Sequence, residues 1–129
     1  MTTTTPSIFE PQLGGYVKAT YDFAEHGGIV GDNACNLKLP AGAIVYNGFA
    51  NVVTAPTSGG SATVAIKIEG AADLLTATAI SSVTGQLDLV PDGTAGNAIV
   101  LTEDRTLSVT IATAALTAGK IDVYLQYFV

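Results

Sequence analysis

From Tyr16 onward the chain alternates apolar and polar residues with a period of two, and this periodicity restricts its possible folds more than any other feature. Successive side chains of a β-strand point to opposite faces, so such alternation predicts strands with one buried face. Segment 62–69 is the clearest case, and 16–23, 106–112 and 121–129 follow it. The predicted inward residues of segment 62–69 are Ala62, Val64, Ile66 and Ile68.

Segment 43–54 is apolar on both faces, which predicts a central strand that is covered on both sides. Asn47-Gly48 lies inside it and has two interpretations. It fits a two-residue hairpin turn, or a bulge where glycine lets another backbone approach. We favour the bulge, because a turn here would leave two very short strands.

Turn residues separate these segments at short intervals, and a hairpin is expected between residues 54 and 62. Segment 70–83 resists the pattern and is left open between helical turns and strand. About eight short strands predict an all-β fold, a β-sandwich, with a jelly roll as the favoured arrangement over residues 16–129. The turn signals are Gly27-Gly28, Pro40-Ala41-Gly42, Ser58-Gly59-Gly60-Ser61, Pro91-Asp92-Gly93 and Ala118-Gly119.

Residues 1–15 differ from the rest and are predicted to form an extended N-terminal arm, because their prolines and glycines disfavour a helix. Ile8, Phe9 and Leu13 are apolar and would remain exposed to water on a free tail. One interpretation is a disordered terminus. The other is an arm whose three apolar residues form an interface with a neighbouring subunit.

The composition favours a protein that works through its surfaces. A chain of 129 residues suits one domain with a sizeable core, yet only 12% of residues are charged while 48% are hydrophobic. A chain of this size with so few charged residues would expose much apolar surface, and such surface is usually buried against a partner. The alternative is a sandwich whose solvated surface is rich in Thr and Ser.

Charge and cysteine content exclude several function classes. Net charge is −6 and the five basic residues are scattered, which argues against nucleic acid or anionic membrane as partners. The single Cys35 has no intrachain partner and is expected to be a buried thiol without a role, in a protein made in a reducing cytoplasm. No apolar run is long enough for a membrane helix, and no signal peptide is visible.

Catalytic and metal-binding patterns are weak, so we predict no catalytic residue, no cofactor and no metal site. His26 is the only histidine and lies in a Gly-rich turn. Two acidic groups have neither calcium-loop spacing nor enough ligands for zinc. They are Asp22, Glu25, Asp32 together with His26, and Asp88, Asp92, Glu103, Asp104.

Four segments resemble small virion proteins of tailed bacteriophages, over roughly residues 16–129: Lys18–Phe23, Leu37–Ala43, Thr57–Val64 and Leu116–Leu125. The resemblance implies a capsid decoration (cement) protein, a head fibre or a tail-associated module. It further implies a homotrimer that binds the phage major capsid protein on the capsid surface of the virion. No functional residue is carried over.

Two rival functions belong to other classes. A tail or fibre module that recognises a host-surface glycan predicts an exposed groove with polar and aromatic side chains. A small hydrolase predicts a pocket that holds His26 with at least two acids.

Overall fold

The computed structural model describes residues 14–92 and 98–128, and in these ranges nearly all regular structure is strand. One four-residue helix, α1, follows the first strand, and a 3-10 turn occupies Ile80–Ser82. In chain order the elements are β1 (Gly14–Asp22), α1 (Phe23–His26), β2 (Gly31–Leu39), β3 (Ile44–Ser58), β4 (Thr63–Lys67), β5 (Leu75–Ala79), β6 (Gln86–Leu89), β7 (Ile99–Val100), β8 (Arg105–Ala112) and β9 (Leu116–Phe128).

The strands form two antiparallel sheets that enclose one core. The first sheet has the order β1-β9-β3-β6, with β7 beside β3, and the second has the order β2-β8-β4-β5. Both sheets contribute side chains to a single cluster of buried residues. The all-β sandwich predicted from the sequence is therefore confirmed, with nine strands among the described residues instead of about eight.

The core is made from the apolar positions of the alternating segments. Each fully buried aliphatic side chain contributes roughly 1.5–3 kcal/mol by leaving water. Because successive side chains of a strand point to opposite faces of its sheet, the side chains between these positions lie on the outer faces of the sandwich. Buried residues from the alternating segments are Ala19 and Tyr21 in β1, Val64 and Ile66 in β4, Leu107, Val109 and Ile111 in β8, and Ile121, Val123 and Leu125 in β9.

Strand β3 runs without a break through Asn47-Gly48, so the bulge interpretation is confirmed and a hairpin turn is excluded there. Val45 pairs with Tyr127 and Asn47 with Gln126, which leaves Tyr46 as the extra residue of the bulge. A Cβ on Gly48 would lie 2.6 Å from the carbonyl oxygen of Tyr124. Glycine at this position therefore permits the close approach of the β9 backbone.

The prediction that β3 is covered on both sides is only half right. The strand is central in its sheet, with β9 on one side and β6 and β7 on the other. Its inner face is buried at Val45 and Ala50, whereas Tyr46, Phe49 and Val53 on the outer face are exposed. No described segment of the chain covers that outer face.

Two turn predictions were wrong, and both concern how strands pair. Segment 54–62 does not form a hairpin, because β3 belongs to the first sheet while β4 pairs with β5 and β8 in the second. Ala118-Gly119 lies within β9 instead of ending it. Gly119 has φ +148°, and a Cβ there would lie 3.2 Å from Cα of Pro56 in β3.

Segment 70–83, left open by the sequence, contains the strand β5 and the 3-10 turn. The turn before β5 is closed by Asp73, whose carboxylate accepts hydrogen bonds from the backbone N–H groups of Ile68, Glu69 and Gly70 at 2.7–3.0 Å. A buried carboxylate satisfied in this way fixes the chain direction into the edge strand.

No helix among the described residues is long and apolar enough to cross a membrane.

Candidate functional site

The outer face of the first sheet carries a regular lattice of large side chains on β1, β9 and β3. Strand β9 lies between the other two, and its outward residues face partners on both sides. The three-residue rows across the strands are Tyr16, Gln126 and Asn47; Lys18, Tyr124 and Phe49; and Thr20, Asp122 and Asn51. Residues far apart in the chain are thus brought into one surface.

Aromatic residues dominate this surface, and we call Tyr16, Tyr46, Phe49, Tyr124 and Phe128 the aromatic face. Phe49 stacks on Tyr124 with ring centroids 4.7 Å apart, and Tyr46 stacks on Phe128 at 4.9 Å. Tyr16 is 78% exposed, and Phe49 and Phe128 are 42% and 48% exposed. Large apolar side chains exposed together in this way mark an interaction surface.

The bulge in β3 helps to build the aromatic face. The extra residue Tyr46 stacks on Phe128, which lies on the outer side of β9 two residues beyond Gln126. Without the bulge, Tyr46 and Asn47 would point to opposite sides of the sheet. The insertion therefore adds one more ring to the outer surface while Val45 stays in the core.

Polar contacts order the gaps between the rings. The side-chain amide of Gln126 donates to the hydroxyl of Tyr16 at 2.6 Å, and the amide of Asn47 donates to Gln126 Oε1 at 3.3 Å. Lys18 lies 5.8 Å from the ring centroid of Tyr124 and pairs with Asp122 at 3.6 Å. The face is thus close to electrically neutral, which suits contact with an apolar partner surface.

The outer face of the second sheet has a different character. Its side chains are small or charged, and at its centre the carboxylate of Asp32 accepts hydrogen bonds from Thr110 at 2.7 Å and Lys67 at 3.2 Å. The hydrogen bond from Thr110, assisted by Lys67, lowers the pKa of Asp32. This solvated face contains no aromatic cluster among the described residues.

His26 has a local structural role at the end of α1. Its Nδ1 accepts a hydrogen bond from the backbone N–H of Asp22 at 3.0 Å, and its Nε2 lies 3.4 Å from Asn36 Oδ1. Its ring stacks on Tyr21, with centroids 6.1 Å apart. Glu25 approaches to 4.0 Å, whereas Asp32 pairs with Lys67 instead. The sequence group of three acids and His26 is therefore not assembled as a site.

The second acidic group is also divided. Glu103 pairs with Arg105 at 3.4 Å, and Asp104 accepts a hydrogen bond from the backbone N–H of Ala41 at 2.9 Å. No three His, Cys, Asp or Glu side chains within 14–92 and 98–128 converge to hold a metal ion. Glu103 and Asp104 thus serve as a surface contact and a turn contact.

One shallow pocket of about 240 Å³ lies beside this region, with Asp92, Ile99 and Val100 in its wall. Glu69, also in the wall, is fully engaged: Arg105 Nε donates to it at 2.7 Å and Thr102 Oγ1 at 2.8 Å. The Arg105 hydrogen bond lowers the pKa of Glu69, and the carboxylate in turn raises the pKa of Arg105. The Glu69 carboxylate is therefore held by Arg105 and Thr102 and is not free in the pocket.

Cys35 is buried, as the sequence predicted, and burial raises the pKa of its thiol to about 11. A thiol that is protonated and enclosed at neutral pH is a poor nucleophile. Ile8, Phe9 and Leu13, which are predicted to form an interface, lie outside the described residues.

The aromatic face is the feature that sequence reasoning missed. The alternation of β9 correctly placed Tyr124 and Phe128 on the outer side. Two aromatic rings on a side expected to face solvent were the available signal. Their partners on β1 and β3 could not be named without the strand order.

Comparisons with solved structures find this fold in chains from three phage capsids. A chain of the acidic stable capsid of Helicobacter pylori bacteriophage KHP30 aligns with a TM-score of 0.63 and 17% identity, over 91% of this chain and 88% of that one. A chain of the capsid asymmetric unit of cyanophage Pam1 aligns with a TM-score of 0.64 and 15% identity, over 98% of this chain and 94% of that one. A chain of the capsid of Ralstonia phage GP4 aligns with a TM-score of 0.60 and 17% identity, over 98% of this chain and 90% of that one.

No protein-family model and no curated protein matches the sequence. At 15–17% identity the similarity concerns the fold. The chain shares its β-sandwich, over nearly its full length, with chains from the capsids of these three bacteriophages.

Proposed function

We propose that this chain is a non-enzymatic structural protein of a phage virion, and specifically a decoration (cement) protein that binds and stabilises the assembled head shell. The observation that carries the proposal is the near-complete alignment with chains from three phage capsids. Because the aligned shares are high on both sides, those chains are also close to this one in length. The sequence resemblance to small phage virion proteins supports the same function.

We further infer that the sandwich is a jelly roll. Most consecutive strands lie in opposite sheets, with β4–β5 and β6–β7 as the exceptions. The order β1-β9-β3-β6 over β2-β8-β4-β5 interleaves the two halves of the chain as two Greek keys do. Jelly rolls are common in viral capsid proteins. The strand order therefore agrees with the proposed capsid role.

The aromatic face supports a function in assembly. A cement protein stabilises a shell by binding the assembled state only, and many copies give avidity from modest single contacts. Its partners in the proposal are other copies of this chain, as a homotrimer, and the phage major capsid protein. Its place is the capsid surface of the virion, after synthesis in the host cytoplasm.

The alternative, a tail or fibre module that binds a host-surface glycan, is favoured by the aromatic and polar side chains of the same face. However, Phe49 and Tyr124 are stacked on each other, and Lys18 lies over the Tyr124 ring. Side chains stand roughly perpendicular to a sheet, so rings paired in this way present their edges to solvent. A pyranose needs an open ring face, and we therefore place the glycan function second.

Electron cryomicroscopy of particles from the phage that encodes this chain tests the proposal. Particles with the gene deleted and particles with purified protein added back are compared. On the head shell of the particles with added protein we expect extra density of the size of this chain. These particles should also release their DNA at a higher temperature than particles from the gene deletion. Density on the tail would favour the glycan-binding alternative, and particles that bind no protein would overturn both.

A further inference from the structure

The aromatic face is apolar surface that no described part of the chain covers. Tyr46, Phe49 and Phe128 are exposed on it, although the sequence of β3 is typical of a strand buried on both sides. An isolated exposed apolar residue needs no explanation, but five neighbouring aromatic rings on three strands do. The face is therefore built to be covered by something else.

We propose that the aromatic face binds residues 8–13 of the N-terminal arm of a second copy of this chain. The inference extends the proposed assembly function by naming the two surfaces through which copies of the chain meet. Its occupant is a specified segment, with Ile8, Phe9 and Leu13 as the apolar anchors.

The starting point and direction of the arm support this occupant. Gly14 and Gly15 are strand residues that pair with Phe128 and Tyr127, so the described chain begins directly beside the aromatic face. At Gly14, β1 is directed along its own axis away from Asp22. To cover its own sheet the arm would have to reverse the direction of β1 directly before Gly14, so we assign the face to the arm of a second copy.

The dimensions of the arm segment and the face are comparable. Five residue steps from Ile8 to Leu13 span at most about 17 Å when extended. The four steps from Tyr124 to Phe128 along β9 span about 13 Å, and β1, β9 and β3 together are about 10 Å wide. A fully extended segment is thus about 4 Å longer than the face, so its three anchors span the face from end to end and the outermost anchor lies at its edge.

The chemistry of the two surfaces is complementary. The arm offers two aliphatic side chains and one aromatic ring, which can pack against the rings of the face at favourable aromatic geometry. Glu10 is the only Asp, Glu, Lys or Arg among residues 1–13. Lys18 is the cation of the face; it pairs with Asp122 at 3.6 Å, but its side chain is 53% exposed, which leaves one side open to Glu10. Docking would bring this opposite charge pair close together.

Disulfide trapping in the full-length protein tests the inference. One preparation carries Gln12→Cys, which leaves the three arm anchors intact. A second carries Asn47→Cys, an exposed position of the face that lies between Tyr46 and Phe49 along β3. The matched control replaces the second preparation by Ala34→Cys, an exposed position on the opposite sheet. Mild oxidation of each mixture is followed by non-reducing electrophoresis, and circular dichroism checks that every variant is folded.

We expect the arm–face mixture to give at least about tenfold more cross-linked dimer than the arm–control mixture, because docking raises the effective concentration of the two thiols. Adding Phe9→Asp to the arm variant should abolish that excess. Equal yields in the two mixtures would overturn the inference. So would a chain that carries both Gln12→Cys and Asn47→Cys but cross-links only within itself.

These outcomes are independent of the proposed head-shell function. A protein that decorates heads without arm–face cross-links would retain the cement function and lose this inference. Copies that cross-link through the arm and the face but bind no part of the particle would retain this inference and contradict the cement function.

Discussion

At the scale of single residues, Tyr21 ties the end of β1 to the loop that follows α1. Its ring is fully buried and its hydroxyl donates to the carbonyl oxygen of Gly27 at 2.6 Å. Burial, with smaller contributions from Cys35 and Asp22, raises the pKa of Tyr21 to about 12. The protein therefore contains two buried acids, this phenol and the Cys35 thiol, that keep their protons above neutral pH.

The stability of the protein is expected to fall above about pH 9. In the unfolded chain the Cys35 and Tyr21 side chains ionise near 9 and 10, but in the folded protein only near 11 and 12. Between these values the unfolded state binds fewer protons than the folded state, so each rise in pH favours unfolding. The stabilisation that these two protonated side chains give to the folded state is fully present below about pH 9.

Urea unfolding at pH 7, 9, 10 and 11 measures this loss. Tyr21→Phe should be about 1 kcal/mol less stable at pH 7, through loss of its hydrogen bond, and should show a shallower alkaline decline. The control Tyr16→Phe, which removes an exposed phenol, should keep the steep decline. An identical decline in all three proteins would contradict the assignment.

At the scale of elements, the pairing of β3 with β9 depends on the absence of a side chain at Gly48. A Cβ there would lie 2.6 Å from the Tyr124 carbonyl oxygen and 2.9 Å from Leu125 Cδ2. Backbone at that distance cannot move aside without disturbing the sheet. The same two strands carry most of the aromatic face, so this contact also positions the rings of Phe49 and Tyr124.

Gly48→Ala is expected to lower the free energy of unfolding by about 1–3 kcal/mol, the usual cost of overpacking. Gly15→Ala is the matched control, because a Cβ at that strand position meets nothing within 4 Å. It should be neutral or slightly stabilising, since alanine has less freedom in the unfolded chain. Chemical denaturation of both variants measures the difference, and equal stabilities would show that the close approach is unimportant.

At the scale of the whole molecule, the fold is closed by contacts between distant parts of the chain. Strand β9 pairs with β1, so Gly14 lies opposite Phe128, and it also pairs with β3. Such non-local pairing costs loop-closure entropy before it is rewarded by hydrogen bonds and burial. Neither β1 nor β3 can find its central neighbour until the last strand is available.

Folding is therefore expected on the millisecond-to-second timescale that is typical of sandwiches with non-local strand pairs. Stopped-flow refolding can follow it by tyrosine fluorescence, since the chain has five tyrosines and no tryptophan. Relaxation within microseconds would contradict the expectation, because it would require structure formed mainly from local contacts.

The sequence by itself determined that the fold is a β-sandwich and which side chains of the alternating segments are buried. Alternation is a local property, because the pleat of a strand sends neighbouring side chains to opposite faces whatever strand lies beside it. The bulge near Gly48 was predictable because a turn there would leave two very short strands. The burial of Cys35 was predictable because a thiol without an intrachain partner usually behaves as a small apolar side chain.

Only the tertiary structure decided which strands are neighbours. It separated β3 from β4, placed Ala118-Gly119 within β9, and divided the two acidic groups. It also assembled the aromatic face from three strands distant in the chain. The physical reason is that strand order depends on closing one core between two sheets, and no local pattern records which edge or register achieves this closure.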